Sequence, residues 1–317
     1  MSAAFVFPGQ GSQTVGMGKA LAANFAAAQR VFDEVDEALG QKLSAVMWDG
    51  PADDLTLTEN AQPALMAVSL AVLRVLQEEA GLELKSDSLF VAGHSLGEYS
   101  ALAAAGSLTI SDTARLLRLR GQAMQKAVPV GAGAMAAVLG LELADVVAVA
   151  AEAAQNDICQ VANDNGGGQV VLSGTRAAVE RAAELAKQRG ARRAIMLPVS
   201  APFHCALMQP AAEVMREALA AVKINPPVIP LVANVTAAPI TDPADIAQRL
   251  IEQVTGTVRW RECVATMADH GVQVFYELGA GKVLSGLAKR IAPGASGIAI
   301  GTPEDVAAFV TARATSV

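Results

Sequence analysis

The chain has 317 residues, 52% of them hydrophobic and 17% charged, and a formal net charge of −7. That composition can bury a large core in one large domain or two smaller ones and excludes a disordered chain. The acidic balance argues against nucleic acid as a partner, and an acidic protein partner must find a local basic patch.

In chain order, "AFVFPG" reads as a strand, a helix follows from about Met17, and "ENAQPALMAVSLAVLRVLQEEAG" reads as a long buried helix. The strand "SLFVAG" and the helix "EYSALAAAG" come next. Strands alternating with helices place the chain in the α/β class, with a parallel sheet covered by helices. From about Gly133 the pattern changes: strand "GAMAAVLGL", helix "ELADVVAVAAEAA", strands "ICQVAN" and "QVVLSGT", helix "RAAVERAAELAKQRG" and strand "RRAIMLPV". This β-α-β-β-α-β order predicts a ferredoxin-like subdomain over 130–198, bracketed by Pro129 and Pro198 and inserted into a main domain of 1–129 and 199–317. A helix near 209–222, a proline-rich turn, "VIPLVANV", another helix, "QVFYELG" and the helix "GKVLSGLAKRI" complete the order.

The start "MSAAFVFPGQG" lacks the basic residues and long apolar segment of a secretory signal. No uncharged apolar stretch reaches the roughly 20 residues a spanning helix needs. A cytoplasmic protein with no membrane partner is expected. Cys159, Cys205 and Cys263 are odd in number and widely spaced, and there are three histidines, so neither a disulfide framework nor a metal site is expected. The cysteines read as reduced, buried thiols.

Two kinds of glycine-rich loop are set aside. Gly131–Ala136 fits the bare dinucleotide pattern, but a strand follows where a helix N-terminus would have to meet the phosphates. "GQGSQTVGMGK" and "GAGKVLSG" lack the spacing that brings backbone N–H groups and a lysine around one phosphate.

Gly93-His94-Ser95-Leu96-Gly97 lies between a predicted strand and a helix starting near Glu98. That is the context of a nucleophile elbow, where small flanking residues allow a sharp turn that lifts the serine hydroxyl out. Ser95 would sit at a helix N-terminus, with the Leu96 N–H facing a developing oxyanion. The competing reading is a plain serine cap. A serine nucleophile needs a base. His94 adjoins Ser95 on the turn and should point elsewhere, and His270 in "MADHGVQVF" reads as a helix-end residue satisfying the last carbonyls. His204 in "LPVSAPFHCALM", after a strand and a proline-containing loop and at the start of a helix, is the candidate base, with a structural histidine as the alternative.

"SDTARLLRLRGQAMQKA" reads as a helix that Ser111 can cap. Projected at about 100° per residue from Ala114, Leu119, Leu116, Ala123, Met124 and Leu117 fill an arc of roughly 140° to 300°. Arg120 falls inside that arc near 240°, whereas Arg115 and Arg118 fall outside it at about 100° and 40° and read as solvated. A buried guanidinium needs an anion. Either a protein carboxylate supplies it, or Arg120 holds a substrate carboxylate in a bidentate fork.

With "FVFPGQGSQ", "GHSLGEYSAL", "RLRGQAMQ", "GAMAAVLGL" and "VSAPFHCALM" in this order, the chain resembles the malonyl-CoA:acyl-carrier-protein transacylases of type II fatty-acid synthesis from residue 5 to about 290. The resemblance implies an α/β-hydrolase-like main domain with an inserted ferredoxin-like subdomain and an active site between them. It implies Ser95 as the acylated nucleophile, His204 as its base and Arg120 as the clamp for the malonyl carboxylate. Gln10 would lie beside the Leu96 N–H at the oxyanion site, and Phe203 is similar to the bulky residue that crowds an α-methyl branch. The family carries no triad aspartate; a main-chain carbonyl from the loop before a tryptophan, here "TVRW", is expected to orient the Ser–His pair. Arg259 stands in that loop where many relatives have glutamine, and a backbone contact should survive the change. The implied substrates are malonyl-CoA and phosphopantetheinylated acyl carrier protein, with no bound cofactor, a transient carrier-protein partner and a monomeric enzyme. An acidic carrier would need local positive charge, for which Lys187, Arg189, Arg192 and Arg193 form one cluster and Lys282, Lys289 and Arg290 another. A serine esterase or thioesterase, a non-catalytic α/β binding module, and the malonyl transferase of a malonate decarboxylase or polyketide system are the competing readings.

Overall fold

The computed structural model describes residues 2–315. Ten strands order the architecture: β1 Ala3–Phe7, β2 Phe90–Gly93, β3 Gly133–Leu139, β4 Cys159–Asp164, β5 Gln169–Thr175, β6 Arg193–Met196, β7 Leu231–Val232, β8 Pro239–Ile240, β9 Val274–Leu278 and β10 Ser296–Ile300. They form two sheets. The larger has the order β10-β9-β1-β2-β7-β8, parallel except for the antiparallel edge strand β8. A central parallel strand is covered on both faces, so β1 reads as an unbroken apolar run and all five of its residues are buried. Phe7 of β1 pairs with Gly93 of β2. The Pro8–Gly11 loop and the Ser95 turn therefore leave the sheet side by side at its carboxyl end, where open α/β sheets place their ligands.

The smaller sheet has the order β4-β5-β3-β6, with every pairing antiparallel. Its helices Leu143–Ala154 and Arg176–Gln188 alternate with the strands in the predicted β-α-β-β-α-β sequence, and their apolar stripes build a separate core around Val138, Val146, Val149, Leu172 and Val179. Backbone bonds tie this sheet to the rest: Val258 N donates to Ala162 O over 2.8 Å, and Asp164 N donates to Val258 O over 3.0 Å. Among the described residues no helix is long and apolar enough to cross a membrane.

The helix Thr58–Ala80 is buried along most of its length, as predicted, and helix Ile110–Ala127 crosses it. At Gly121 a Cβ would come 2.5 Å from Glu59 Cα, so only glycine allows the two backbones this close. Three details of the second helix differ from the sequence reading. Thr109, not Ser111, caps it, accepting from Asp112 N over 3.0 Å, while Ser111 lies in the first turn and donates to Glu34. Leu119, at the edge of the projected apolar arc, is exposed at 36%. Arg118, expected in solvent, is half-buried and donates to Gln41 Oε1 over 2.6 Å, because the helix Ala26–Leu39 and the turn after it pack beside it. The main sheet also gains β10 and the helix Pro303–Ala314 after the last predicted element.

Candidate active site

Ser95 occupies a sharp turn between β2 and the helix Leu96–Ala104, with φ 54° and ψ −110°, a conformation that disfavours any side chain. The flanking glycines are required by contact. A Cβ on Gly93 would lie 1.9 Å from the Gly97 carbonyl, and one on Gly97 would lie 2.2 Å from Phe7 O. Asn234 braces the turn from the end of β7: its Oδ1 accepts from Ser95 N over 2.8 Å and its Nδ2 donates to Gly93 O over 2.7 Å. The Leu96 N–H is the first of its helix and has no intrahelical acceptor.

His204 also holds a positive φ, 59°. Its helix begins slightly later than expected, as a 3-10 turn at Ala206–Met208. His204 Nε2 lies 2.8 Å from Ser95 Oγ, and Nδ1 lies 2.8 Å from the Gln253 carbonyl oxygen. A carbonyl can only accept, so Nδ1 carries the proton and Nε2 offers its lone pair to the serine hydroxyl. Burial, followed by the nearby Arg120 charge, pushes the imidazole down to about 3, which keeps it neutral. The orienting carbonyl belongs to the last turn of helix Pro243–Thr255 and not to the "TVRW" loop, because that helix ends against His204. Arg259 instead ion-pairs with Glu262 and donates to the carbonyls of Val235 and Thr236 over 3.2 and 3.3 Å.

Arg120 is 1% exposed, as its helical position requires. It touches no carboxylate. Its Nη1 donates to Gln62 Oε1 over 2.7 Å, and its Nη2 to Gln253 Oε1 over 2.8 Å and to Ser95 Oγ over 3.2 Å. The guanidinium carbon stands 5.6 Å from the centre of the Tyr99 ring, within cation–π range. Its Nε has no partner. A buried cation held by neutral amides, against a nucleophile-type hydroxyl, can receive an anion from outside.

A cavity of about 450 Å³ opens over Ser95. Gln10, Leu96, Arg120, Phe203 and His204 all line it. Gln10 is exposed to it, and its Oε1 accepts from Thr58 Oγ1 over 2.9 Å. Phe203 is buried at its wall. His94 turns away from Ser95, with Nε2 2.9 Å from Asn165 Oδ1 in the β4–β5 hairpin. His270 ends the helix Trp260–Asp269 with Nδ1 2.7 Å from Thr266 O, far down the chain from this cluster. In the first basic cluster Lys187 and Arg189 are ion-paired with Glu184 and Glu152, which locally neutralises half of it. Lys282 directly precedes Val283, Leu284 and Leu287, which line the cavity.

Four side chains of this site escaped the sequence reading: Thr58, Gln62, Asn234 and Gln253, all of them buried. Their only sequence signal is a polar residue on an apolar helix face or strand end, such as Gln62 within "ENAQPALM".

Residues 4–292 match the acyl transferase domain family. The chain is 48% identical over 304 residues to the malonyl CoA-acyl carrier protein transacylase of Bacillus subtilis (strain 168), covering 96% of this chain and 94% of that one. It is 46% identical to the enzyme of the same name from Escherichia coli (strain K12), over 96% and 97%. The acyl-carrier-protein S-malonyltransferase of Bartonella henselae superposes with a TM-score of 0.96 at 56% identity, over 99% and 100% of the two chains. A malonyl-transacylase solved in complex with its type II PKS acyl-carrier protein superposes with a TM-score of 0.95 at 40% identity, over 98% and 100%.

Proposed function

The chain belongs to the acyl transferase domain family, and on that premise we propose that it transfers the malonyl group from malonyl-CoA to the phosphopantetheine thiol of acyl carrier protein through a malonyl-serine intermediate. The observation that carries this reading is Arg120, a buried cation in contact with no protein carboxylate, donating to the same hydroxyl that His204 is set to deprotonate.

Ser95 is the nucleophile. As its oxygen attacks the thioester carbonyl, its proton passes to His204 Nε2, and the imidazolium is stabilised by the Gln253 carbonyl at Nδ1. The oxyanion meets the Leu96 N–H, with Gln10 beside it in the same cavity. Collapse expels CoA as its thiol, the proton coming from His204. The carrier's thiol then attacks the ester under the same base and regenerates Ser95. Arg120 takes the malonyl carboxylate, which selects an acyl group carrying a terminal acid over acetyl. Phe203 narrows the wall where an α-methyl branch would project. Every group in this scheme is a side chain or backbone atom, so it requires no bound cofactor.

A monomeric enzyme that meets its carrier protein transiently completes this reading. Lys282, next to the cavity-lining Val283, and Lys289 and Arg290 in the last turn of the same helix, Val283–Ile291, supply the positive charge for an acidic carrier. Three buried, unpaired cysteines support a reducing, cytoplasmic setting.

Intact-mass measurement tests the scheme. Malonyl-CoA should add one malonyl group, carrier protein should remove it, and an adduct surviving in Ser95→Ala protein would reject the scheme. A serine thioesterase would instead lose the group to water without any thiol acceptor.

A further inference from the structure

Glu98 lies one turn past Ser95 on the helix Leu96–Ala104 and is 1% exposed. A buried carboxylate ordinarily has a cationic partner, yet Glu98 forms no ion pair among the described residues. One oxygen accepts from Gln253 Nε2, and the other, Oε1, has no hydrogen-bond partner. The same Gln253 amide accepts from Arg120 Nη2 through its own oxygen. A single primary amide thus stands between the one buried carboxyl and the one buried guanidinium of the site, its dipole aligned with both.

We propose that Glu98 is the resident counter-charge of Arg120, and that a substrate carboxylate arriving at the guanidinium displaces it electrostatically, so that loading a carboxylated acyl group is coupled to uptake of one proton by Glu98. This inference rests on the reading of Arg120 as the holder of that carboxylate. In the empty site, Arg120 is balanced at a distance by Glu98 through the Gln253 amide. When the malonyl carboxylate docks, two negative charges share one cation in a buried space, and like charges so placed cannot both stay ionised without cost. The substrate anion touches the guanidinium directly. Glu98 therefore yields, taking up one proton from the bulk solvent at the unpartnered Oε1, with no bond to substrate made or broken.

The charged and titratable groups facing Glu98 are few. Arg120 comes from helix Ile110–Ala127, Tyr99 from its own helix and Cys263 from helix Trp260–Asp269, and the neutral side-chain amide of Gln253 and the backbone of Asn234 lie beside them. Burial pushes the Glu98 carboxyl up to about 7, against the opposing pull of the Gln253 donor, the Asn234 contact and Arg120. A second anion at Arg120 raises it further. Proton uptake on loading therefore begins as pH rises through about 7, and preference for the carboxylated substrate weakens above it.

The test is the ratio of kcat/KM for malonyl-CoA to that for acetyl-CoA, measured from about pH 6 to about pH 9, on either side of that value. Titration of His204 and of the CoA phosphates acts on both substrates and cancels in the ratio. The wild-type ratio should fall by about fivefold or more, the low end of ordinary site-to-site coupling. In Glu98→Gln, a permanently neutral near-isostere, the ratio should be flat and should exceed the wild-type ratio at the alkaline end. A flat wild-type ratio, or a wild-type slope retained in Glu98→Gln, overturns the proposal, and the wild-type profile decides alone should the variant misfold. Arg120→Ala separates the two readings: loss of malonyl preference there with a pH-independent wild-type ratio removes Glu98 only, whereas preference retained in Arg120→Ala removes the reading of Arg120 as well.

Discussion

Ser95 Oγ and His204 Nε2 lie 2.8 Å apart, and the two residues that form this contact hold positive φ angles of 54° and 59°. Non-glycine residues in such conformations cost about 1–3 kcal/mol each and persist where the surroundings over-determine them. Here the determinants are identifiable. Asn234 pins the Ser95 turn from both sides, and the Gln253 carbonyl fixes the His204 ring.

The strain predicts an ordering of stabilities. Ser95→Gly should be more stable than Ser95→Ala by about 1 kcal/mol, because glycine alone accepts this backbone without a Cβ penalty. Denaturant unfolding of the two inactive proteins measures it. Equal stabilities would mean the turn stores no strain.

The flanking glycines should be intolerant. Gly97→Ala places a methyl 2.2 Å from Phe7 O, a backbone atom of the central strand that cannot step aside. We expect a loss of about 3 kcal/mol, the upper end for overpacking, together with loss of acyl-serine formation. Chemical denaturation and intact mass report the two losses, and a variant within about 0.5 kcal/mol of wild type, the ordinary range for a surface substitution, contradicts the contact.

The imidazole of His204 acts as a base only while neutral. Its value is depressed from the usual 6.5 to about 3, so the neutral form persists to lower pH than in an exposed histidine. With acetyl-pantetheine, which carries neither a carboxylate to engage Arg120 nor a titrating phosphate, the acid limb of kcat/KM should lie below about pH 5. An acid limb centred near 6.5 would show a solvated imidazole.

Gln253 contributes separable parts, a backbone carbonyl to His204 and a side-chain amide to Arg120. Gln253→Met keeps the first and removes the second. Loss of a hydrogen bond to a buried charge is worth about 1.5–3 kcal/mol, so malonyl kcat/KM should fall roughly tenfold or more while acetyl kcat/KM changes much less. Equal losses for both substrates would place the effect on His204 instead.

Thr58 makes the opposite case. It accepts from Gln62 and donates to Gln10, at the far end of a chain of bonds that starts at Arg120. Thr58→Val should release the Gln10 side chain and lower kcat for malonyl and acetyl transfer alike, by about fivefold for one ordinary hydrogen bond. Selective loss of malonyl transfer would show that the chain serves Arg120 and not the Gln10 loop.

The elbow and the arginine were legible because local rules govern them. Gly-x-Ser-x-Gly after an apolar strand specifies a turn within five residues, and the period of 3.6 puts Arg120 on the apolar face whatever packs there. The assignment was less accurate where a neighbour decides: Arg118 leaves solvent because the helix Ala26–Leu39 and the following turn lie beside it. The carbonyl behind His204 belongs to Gln253 and not to the "TVRW" loop, since the distance between a histidine and a carbonyl 49 residues away depends on where a helix ends in space.

By itself the sequence determined the α/β class, the two kinds of strand pattern, the turn that carries Ser95 and the apolar helix face that carries Arg120, because each rests on periodicity or on a turn closed within a few residues; His204 stood out only as one of three histidines, after a proline-containing loop. Only the tertiary structure decided that Gln62, Gln253, Asn234 and Glu98 surround them. Those are contacts between elements far apart in the chain, and an amide on a helix face carries no local mark of the charge it will meet once the helices pack.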